Sequence, residues 1–91
     1  MATITDQDLI RYFNDDCEIR ALSKHTIESY ISTLKLFLTF LQRHNHSLQH
    51  IDREILKKYI IYLRKNNMSH KTIENRFSTL STFYDFDSQH I

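Results

Sequence analysis

The chain has 91 residues and a net charge of +1, with one cysteine and neither glycine nor proline. This length allows one domain with a modest core, and the lack of glycine excludes nucleotide-binding glycine loops and leaves helix as the default structure. The longest apolar stretch, residues 34–41, is far shorter than the ~20 residues that cross a bilayer. Because no basic and apolar leader is visible at the start either, we expect a soluble, cytoplasmic protein.

Four helix starts are predicted from one signal, an apolar residue before the N-cap paired with another at the fourth helical position. The predicted caps are Thr5, Ser23, Asp52 and Ser69. Apolar residues then recur at helical spacing. The predicted helices span residues 6–19, 23–44, 52–66 and 69–86. At the breaks, asparagine is expected to take the left-handed conformation that glycine usually supplies.

Two helices have further distinguishing residues. The second predicted helix carries Leu36 and Phe40 on the side opposite its main apolar stripe, which is typical of a central helix packed on two faces. In the first predicted helix, Cys17 lies between Asp16 and Glu18, whose charges raise the pKa of a thiol. We therefore expect this cysteine to have no chemical role.

The start of the second predicted helix is repeated at the start of the fourth. Residues 22–28 read LSKHTIE, and residues 68–74 read MSHKTIE. Each copy places hydroxyls and positive side chains in a first helical turn, where unpaired N–H groups and the helix dipole favour anions. We expect the two starts to lie side by side and to clamp phosphates.

Charge is unevenly distributed along the chain. Residues 1–22 carry two basic and five acidic side chains, whereas residues 23–84 carry ten basic and four acidic ones. The net charges of these segments are therefore −3 and +6. A basic segment that coincides with the repeated helix starts favours binding to a polyanion.

The polar faces of the repeated helices hold short hydrogen-bonding side chains. These are His25, Ser29, Ser32 and Arg43 on the second predicted helix, and Lys71, Asn75, Ser78 and Thr82 on the fourth. Such residues allow close approach to a duplex, because serine and threonine reach phosphates and asparagine can read adenine. Glu28 and Glu74 repel phosphates, but at a spacing of four residues they can orient Lys24 and His70.

Metal and catalytic sites are not predicted. His44, His46 and His50 cluster at a break, but a zinc site commonly needs four ligands, often including cysteine or carboxylate. None of the five tyrosines has arginine and histidine around it at a recognisable spacing. We expect no cofactor, no metal and no small-molecule substrate.

The combined pattern resembles one known family. The segments are LSxxTIxxYxxxLxxFxxFL at residues 22–41, IDxxxLxxYIxxL at residues 51–63 and MSxxTIxxxFSxLxxFYxF at residues 68–86. In this order and spacing they resemble the N-terminal core-binding domain, also called SAM-like, of tyrosine recombinases and phage integrases. The resemblance covers nearly the whole chain. It implies an all-α bundle of four or five helices that grips one side of a recombination site.

In that family the second and fourth helices face the major groove, and the resemblance carries this contact role onto the repeated helix starts. The implied DNA-binding residues are Ser23, Lys24, His25, Thr26, Tyr30, Ser69, His70, Lys71, Thr72, Asn75 and Arg76, to which the polar face adds Ser29. Limited base reading is expected from Asn75, Arg76 and Lys71. The chain departs from the family at Ser81 and Asp85, where basic residues are common.

The resemblance also implies what the chain does with its partners. The first helix of the family contributes to contacts between protomers on DNA, which suits the acidic edge of Asp15, Asp16 and Glu18. The family's catalytic domain, with its arginine, lysine and histidine cluster and a nucleophilic tyrosine, is absent from residues 1–91. We therefore expect a single non-catalytic domain that binds double-stranded DNA. The alternative is a helical protein-interaction module, which the near-neutral total charge and acidic first helix favour.

Overall fold

The computed structural model describes residues 4–90, with side chains as far as Ser88. The helices are α1 (Asp6–Ile19), α2 (Lys24–Arg43), α3 (Arg53–Lys65) and α4 (His70–His90). The predicted all-α fold is confirmed, and residues 4–90 contain neither a strand nor a fifth helix. The expected end of α4 at residue 86 is too early, because no glycine, proline or asparagine follows Phe86 to stop the helix.

Each of the four predicted caps accepts a hydrogen bond from the backbone N–H three residues later. The N···O distances are 3.0 Å at Thr5, 3.2 Å at Ser23, 2.9 Å at Asp52 and 3.2 Å at Ser69. At α1 the bond is reciprocal, since the Asp8 carboxylate accepts from the Thr5 N–H at 3.1 Å. This backbone hydrogen bond holds the pKa of Asp8 below its ordinary value. The sequence signal for helix starts is therefore confirmed at all four positions.

The first three helices end in the same backbone motif without a glycine. In α1 the Leu22 N–H donates to the Cys17 carbonyl at 3.1 Å, which is the long hydrogen bond of a Schellman motif. The residue before that donor is left-handed in each case, with φ of 61° at Ala21, 58° at Asn45 and 61° at Asn67. The expectation for asparagine is confirmed at two breaks. At the first break an alanine adopts this conformation, although its Cβ makes the left-handed region unfavourable.

Two aromatic clusters hold the helices together. Phe13 of α1 is fully buried, and its ring lies 5.4 Å from that of Phe83 and 6.0 Å from that of Tyr30. Tyr59 of α3 is 1% exposed and lies 4.8 Å from Phe37 and 6.0 Å from Phe77. Both α2 and α4 contribute to the two clusters, and the expected packing of α2 on two faces is confirmed.

Two expectations about single side chains have different outcomes. Leu36 and Phe40 were both expected to line the second packed side of α2, but Leu36 is 50% exposed, whereas Phe40 is buried against Tyr59 and Tyr62 of α3. Cys17 is fully buried in the core. Its thiol pKa is raised as expected, but burial is the main cause and the charge of Asp16 a minor one.

The clusters also show the relative direction of α2 and α4. The early residue Tyr30 of α2 shares a cluster with the late residue Phe83 of α4, whereas the late residue Phe37 shares one with the early residue Phe77. The two helices therefore run in opposite directions. The connection between α2 and α3 is fastened to α4 through the Tyr84 hydroxyl, which donates to the Leu48 carbonyl at 2.8 Å.

Candidate nucleic-acid interface

The repeated sequence forms the same local structure twice. At the start of α2 the Ser23 hydroxyl accepts from the Thr26 N–H at 3.2 Å and donates to the Thr26 hydroxyl at 2.9 Å. At the start of α4 the Ser69 hydroxyl makes the same two bonds with Thr72 at the same distances. The left-handed residue lies two positions before the serine in both copies. The repeat is therefore a structural unit that ends one helix and begins the next.

The acidic residues of each copy contact the basic ones as expected. The Lys24 Nζ lies 3.9 Å from a Glu28 carboxylate oxygen, and the His70 Nε2 lies 2.9 Å from one of Glu74. All four side chains are more than half exposed, so these pairs contribute little to stability. These pairs hold Lys24 and His70 along their helix faces and leave Lys71 without a carboxylate partner among the described side chains.

Most of the predicted contact residues are accessible. The exposed ones are Ser23, Lys24, His25, Ser29, Ser69, His70, Lys71 and Asn75. Thr26 and Thr72 are half-buried and have hydroxyls engaged by the caps. Tyr30 is also half-buried, because its ring stacks on Phe13. It therefore supports the core as well as bordering the surface.

Arg76 occupies a different environment from its neighbours on α4. It is half-buried and lines a groove with Arg43 of α2 and Tyr62 of α3. Its guanidinium lies close enough to the Tyr59 phenol to lower the pKa of that group, against the larger rise caused by burial. The sequence pattern did not indicate this contact, because Arg76 lies seventeen residues after Tyr59.

The two helix starts do not lie side by side, contrary to our expectation. The start of α4 adjoins the second half of α2, because Met68 and Arg76 share a groove with Leu36 and Arg43. The start of α2 instead adjoins α1, where Lys24 and Glu18 line one groove. At 1.5 Å per residue, the two starts are separated by about 20 Å along the α2 axis. The antiparallel course of the two helices is the reason.

The described residues 4–88 can also be compared with what a metal site or a membrane-spanning helix requires. Within that part of the chain, no three histidine, cysteine or acidic side chains are arranged to hold a metal ion. His46 and His50 line an open groove, and the His46 ring bonds the His44 carbonyl at 2.9 Å. None of the helices in the described range is long and apolar enough to span a membrane.

Comparison with known proteins identifies related sequences. Residues 9–89 match the model of the phage integrase N-terminal SAM-like domain. The chain is 33% identical to a tyrosine recombinase XerC of Staphylococcus epidermidis over 67 residues, which are 74% of the chain and 23% of that protein. It is 36% identical to a tyrosine recombinase XerD of Rickettsia conorii, over 74% of the chain and 22% of that protein.

The matched region therefore spans about a quarter of the length of these relatives. No solved structure matches the chain. The family model covers almost all of the helical bundle, including both repeated helix starts. The chain belongs to the family of phage integrase N-terminal SAM-like domains.

Proposed function

We propose that the chain is the DNA-binding domain of a site-specific tyrosine recombinase, and that it grips duplex DNA through the starts and polar faces of α2 and α4. The observation that carries this proposal is the duplicated helix start, with identical cap geometry at Ser23 and Ser69. Each start exposes cations beside unpaired backbone N–H groups, which is an arrangement suited to phosphate. The names of the relatives, tyrosine recombinases XerC and XerD, favour DNA over other polyanions.

The separation of the two starts defines how this grip operates. Two anion sites about 20 Å apart along α2 cannot share a phosphate, so they fix the domain at two separate points of the DNA backbone. Lys24 serves one point and Lys71 the other, while Asn75, exposed one turn beyond Lys71, is placed to contact base edges. Backbone contacts of this kind set position and orientation, and they carry little sequence information.

The domain positions DNA and performs no strand cleavage in this proposal. Burial raises the pKa of the Tyr59 and Tyr84 phenols, which disfavours the ionised form that would act as a nucleophile. Cleavage and joining would belong to a part of the parent recombinase outside residues 1–91, acting in the cytoplasm where the DNA is. Sister protomers would meet through the acidic edge of α1, where Asp15 and Glu18 are exposed and Asp16 is paired with Arg20 at 3.0 Å.

Chemical-shift perturbation tests the proposal. Adding a mixed-sequence DNA duplex to the isotope-labelled chain is expected to shift backbone amide signals at residues 23–30 and 69–76. The amides of residues 6–12 serve as an internal control, because they precede both the acidic edge of α1 and the groove that Glu18 shares with Lys24. Absence of shifts at both helix starts under low-salt conditions would refute the proposal.

One observation favours a protein-binding module as the second candidate. Ile19, at the end of α1, is 83% exposed and lies beside the exposed Glu18. A large exposed apolar side chain with acidic neighbours is suited to a basic, apolar protein surface. This candidate predicts shifts confined to residues 6–20, seen only when a protein is added.

A further inference from the structure

A groove of about 330 Å³ lies between the second half of α2, α3 and the start of α4. Arg43 enters it from the last turn of α2, and Arg76 enters it from the second turn of α4. Asn66 and Tyr62 add further hydrogen-bonding groups from the end of α3. The lining contains two guanidinium groups and no carboxylate, so the groove is suited to an anion.

Arg76 is held in this groove with part of its hydrogen-bonding capacity unused. Its Nε is enclosed by the protein and has no hydrogen-bond partner among the described residues. A buried donor of a charged group is costly when unpaired, and structures normally satisfy it. The Tyr59 phenol, which is 1% exposed, lies against the same guanidinium and restricts its position. The Arg76 Nε–H is therefore a donor that is held in place without an acceptor, while the rest of the guanidinium lies against the Tyr59 oxygen.

Arg43 supplies a second, more exposed donor at the same place. Its side chain is exposed, and no described carboxylate lies within ion-pair distance of Arg43 or Arg76. Guanidinium groups bind phosphate oxygens with two parallel N–H···O bonds, which a lysine cannot do. Two arginines from different helices can thus bind one phosphate from two sides.

We propose that Arg43 and Arg76 together bind a single DNA backbone phosphate in the groove between α2, α3 and α4, with Tyr59 as the residue that positions Arg76. The assignment rests on the DNA-binding function proposed above and extends it. It moves Arg76 from base reading to backbone contact, because Arg76 is half-buried and held beside Tyr59, whereas base reading needs a side chain that extends into a groove of the duplex. It also adds Arg43 to the interface.

Salt-dependent titration of a mixed-sequence duplex, followed by fluorescence anisotropy, tests the assignment. Arg43→Gln and Arg76→Gln are each expected to weaken binding about tenfold and to reduce the salt slope by about 0.9. If both arginines bind one phosphate, the double variant loses little more than either single variant. Arg11→Gln is the charge-matched control, since Arg11 lies on acidic α1 and pairs with Asp8 at 3.1 Å.

Further variants separate folding from binding. Arg43 is exposed, so Arg43→Gln is expected to fold normally and to report on binding even if Arg76→Gln is unstable. Tyr59→Phe is expected to weaken binding in the wild-type background and to have no effect in the Arg76→Gln background. In nitrogen-15 spectra, the Arg76 Nε–H signal is expected to move on adding DNA to the wild-type chain.

The outcomes distinguish this assignment from the proposed function. One outcome is that the wild-type chain binds DNA, but Arg43→Gln and Arg76→Gln weaken binding no more than the control Arg11→Gln does. That outcome overturns the shared phosphate site and leaves the DNA-binding function standing. A second outcome is that the losses of binding free energy in the two single variants add fully in the double variant, with twice the reduction in salt slope. The two arginines then contact separate phosphates, and the claim that they share one is wrong. No wild-type binding at any salt concentration overturns both.

Discussion

Replacing Ala21 by glycine is expected to stabilise the fold. Ala21 has φ of 61° in the turn between α1 and α2, and its N–H donates to the Glu18 carbonyl at 2.9 Å. For a residue with a Cβ, the left-handed region costs about 1–2 kcal/mol, whereas glycine enters it freely. The alanine is exposed, so its replacement opens no cavity in the core.

The net gain is smaller than the relieved strain. Glycine also increases the conformational entropy of the unfolded chain, and this cancels about 0.4–1 kcal/mol of the stabilisation gained from the relieved strain. The free energy of unfolding of Ala21→Gly should therefore rise by about 0.5–1 kcal/mol. For a domain of this size, such a change raises Tm by roughly 2–8 °C.

Thermal and urea unfolding followed by circular dichroism measure this gain. Ser81→Gly is the matched control, because Ser81 is an exposed residue inside α4 and glycine there should lower stability by about 0.5 kcal/mol. Asn67→Gly should gain less than Ala21→Gly, since asparagine tolerates the left-handed region. A lower Tm for Ala21→Gly would refute the strain argument.

Three further changes have expected outcomes. Glu74→Gln should tighten duplex binding about two- to fivefold in anisotropy titrations, because it removes a carboxylate near the phosphates. Tyr84→Phe should lower the free energy of unfolding by about 1–2 kcal/mol in urea, because the Leu48 carbonyl loses its hydrogen bond. The stability that Asp8 gives is present above its ordinary pKa of 3.8 and is lost as the pH falls through the lowered value of the folded state. Asp8→Asn should therefore remove part of the acid-side decline seen in urea unfolding at successive pH values, whereas an unchanged profile would contradict the role of Asp8.

The helices were predictable because their starts and stripes are local. A cap such as Ser69 and its bond to Thr72 depend only on residues within one turn. The all-α fold follows from those starts and the apolar spacing. The left-handed alanine was not predicted, since composition indicates which residues favour that region and not where an unfavourable one is used.

The arrangement of the candidate site was less predictable, because it depends on contacts between distant residues. The repeat predicts two alike helix starts, but the aromatic clusters of Phe13 and Tyr59 set their separation. The exposure of Leu36 and the partial burial of Arg76 also depend on where α3 crosses α2. A periodic pattern shows which residues share a face of one helix, but it does not show which other helix packs against that face.

The salt dependence of duplex binding tests the central claim most directly. With about four to six phosphates contacted, the logarithm of the binding constant should fall against the logarithm of salt with a slope of about −4 to −5. Lys24→Glu combined with Lys71→Glu should abolish this binding while circular dichroism shows unchanged helix content, because both side chains are exposed. Binding that is independent of salt, or that survives in the double variant, would contradict the claim that the two helix starts hold DNA.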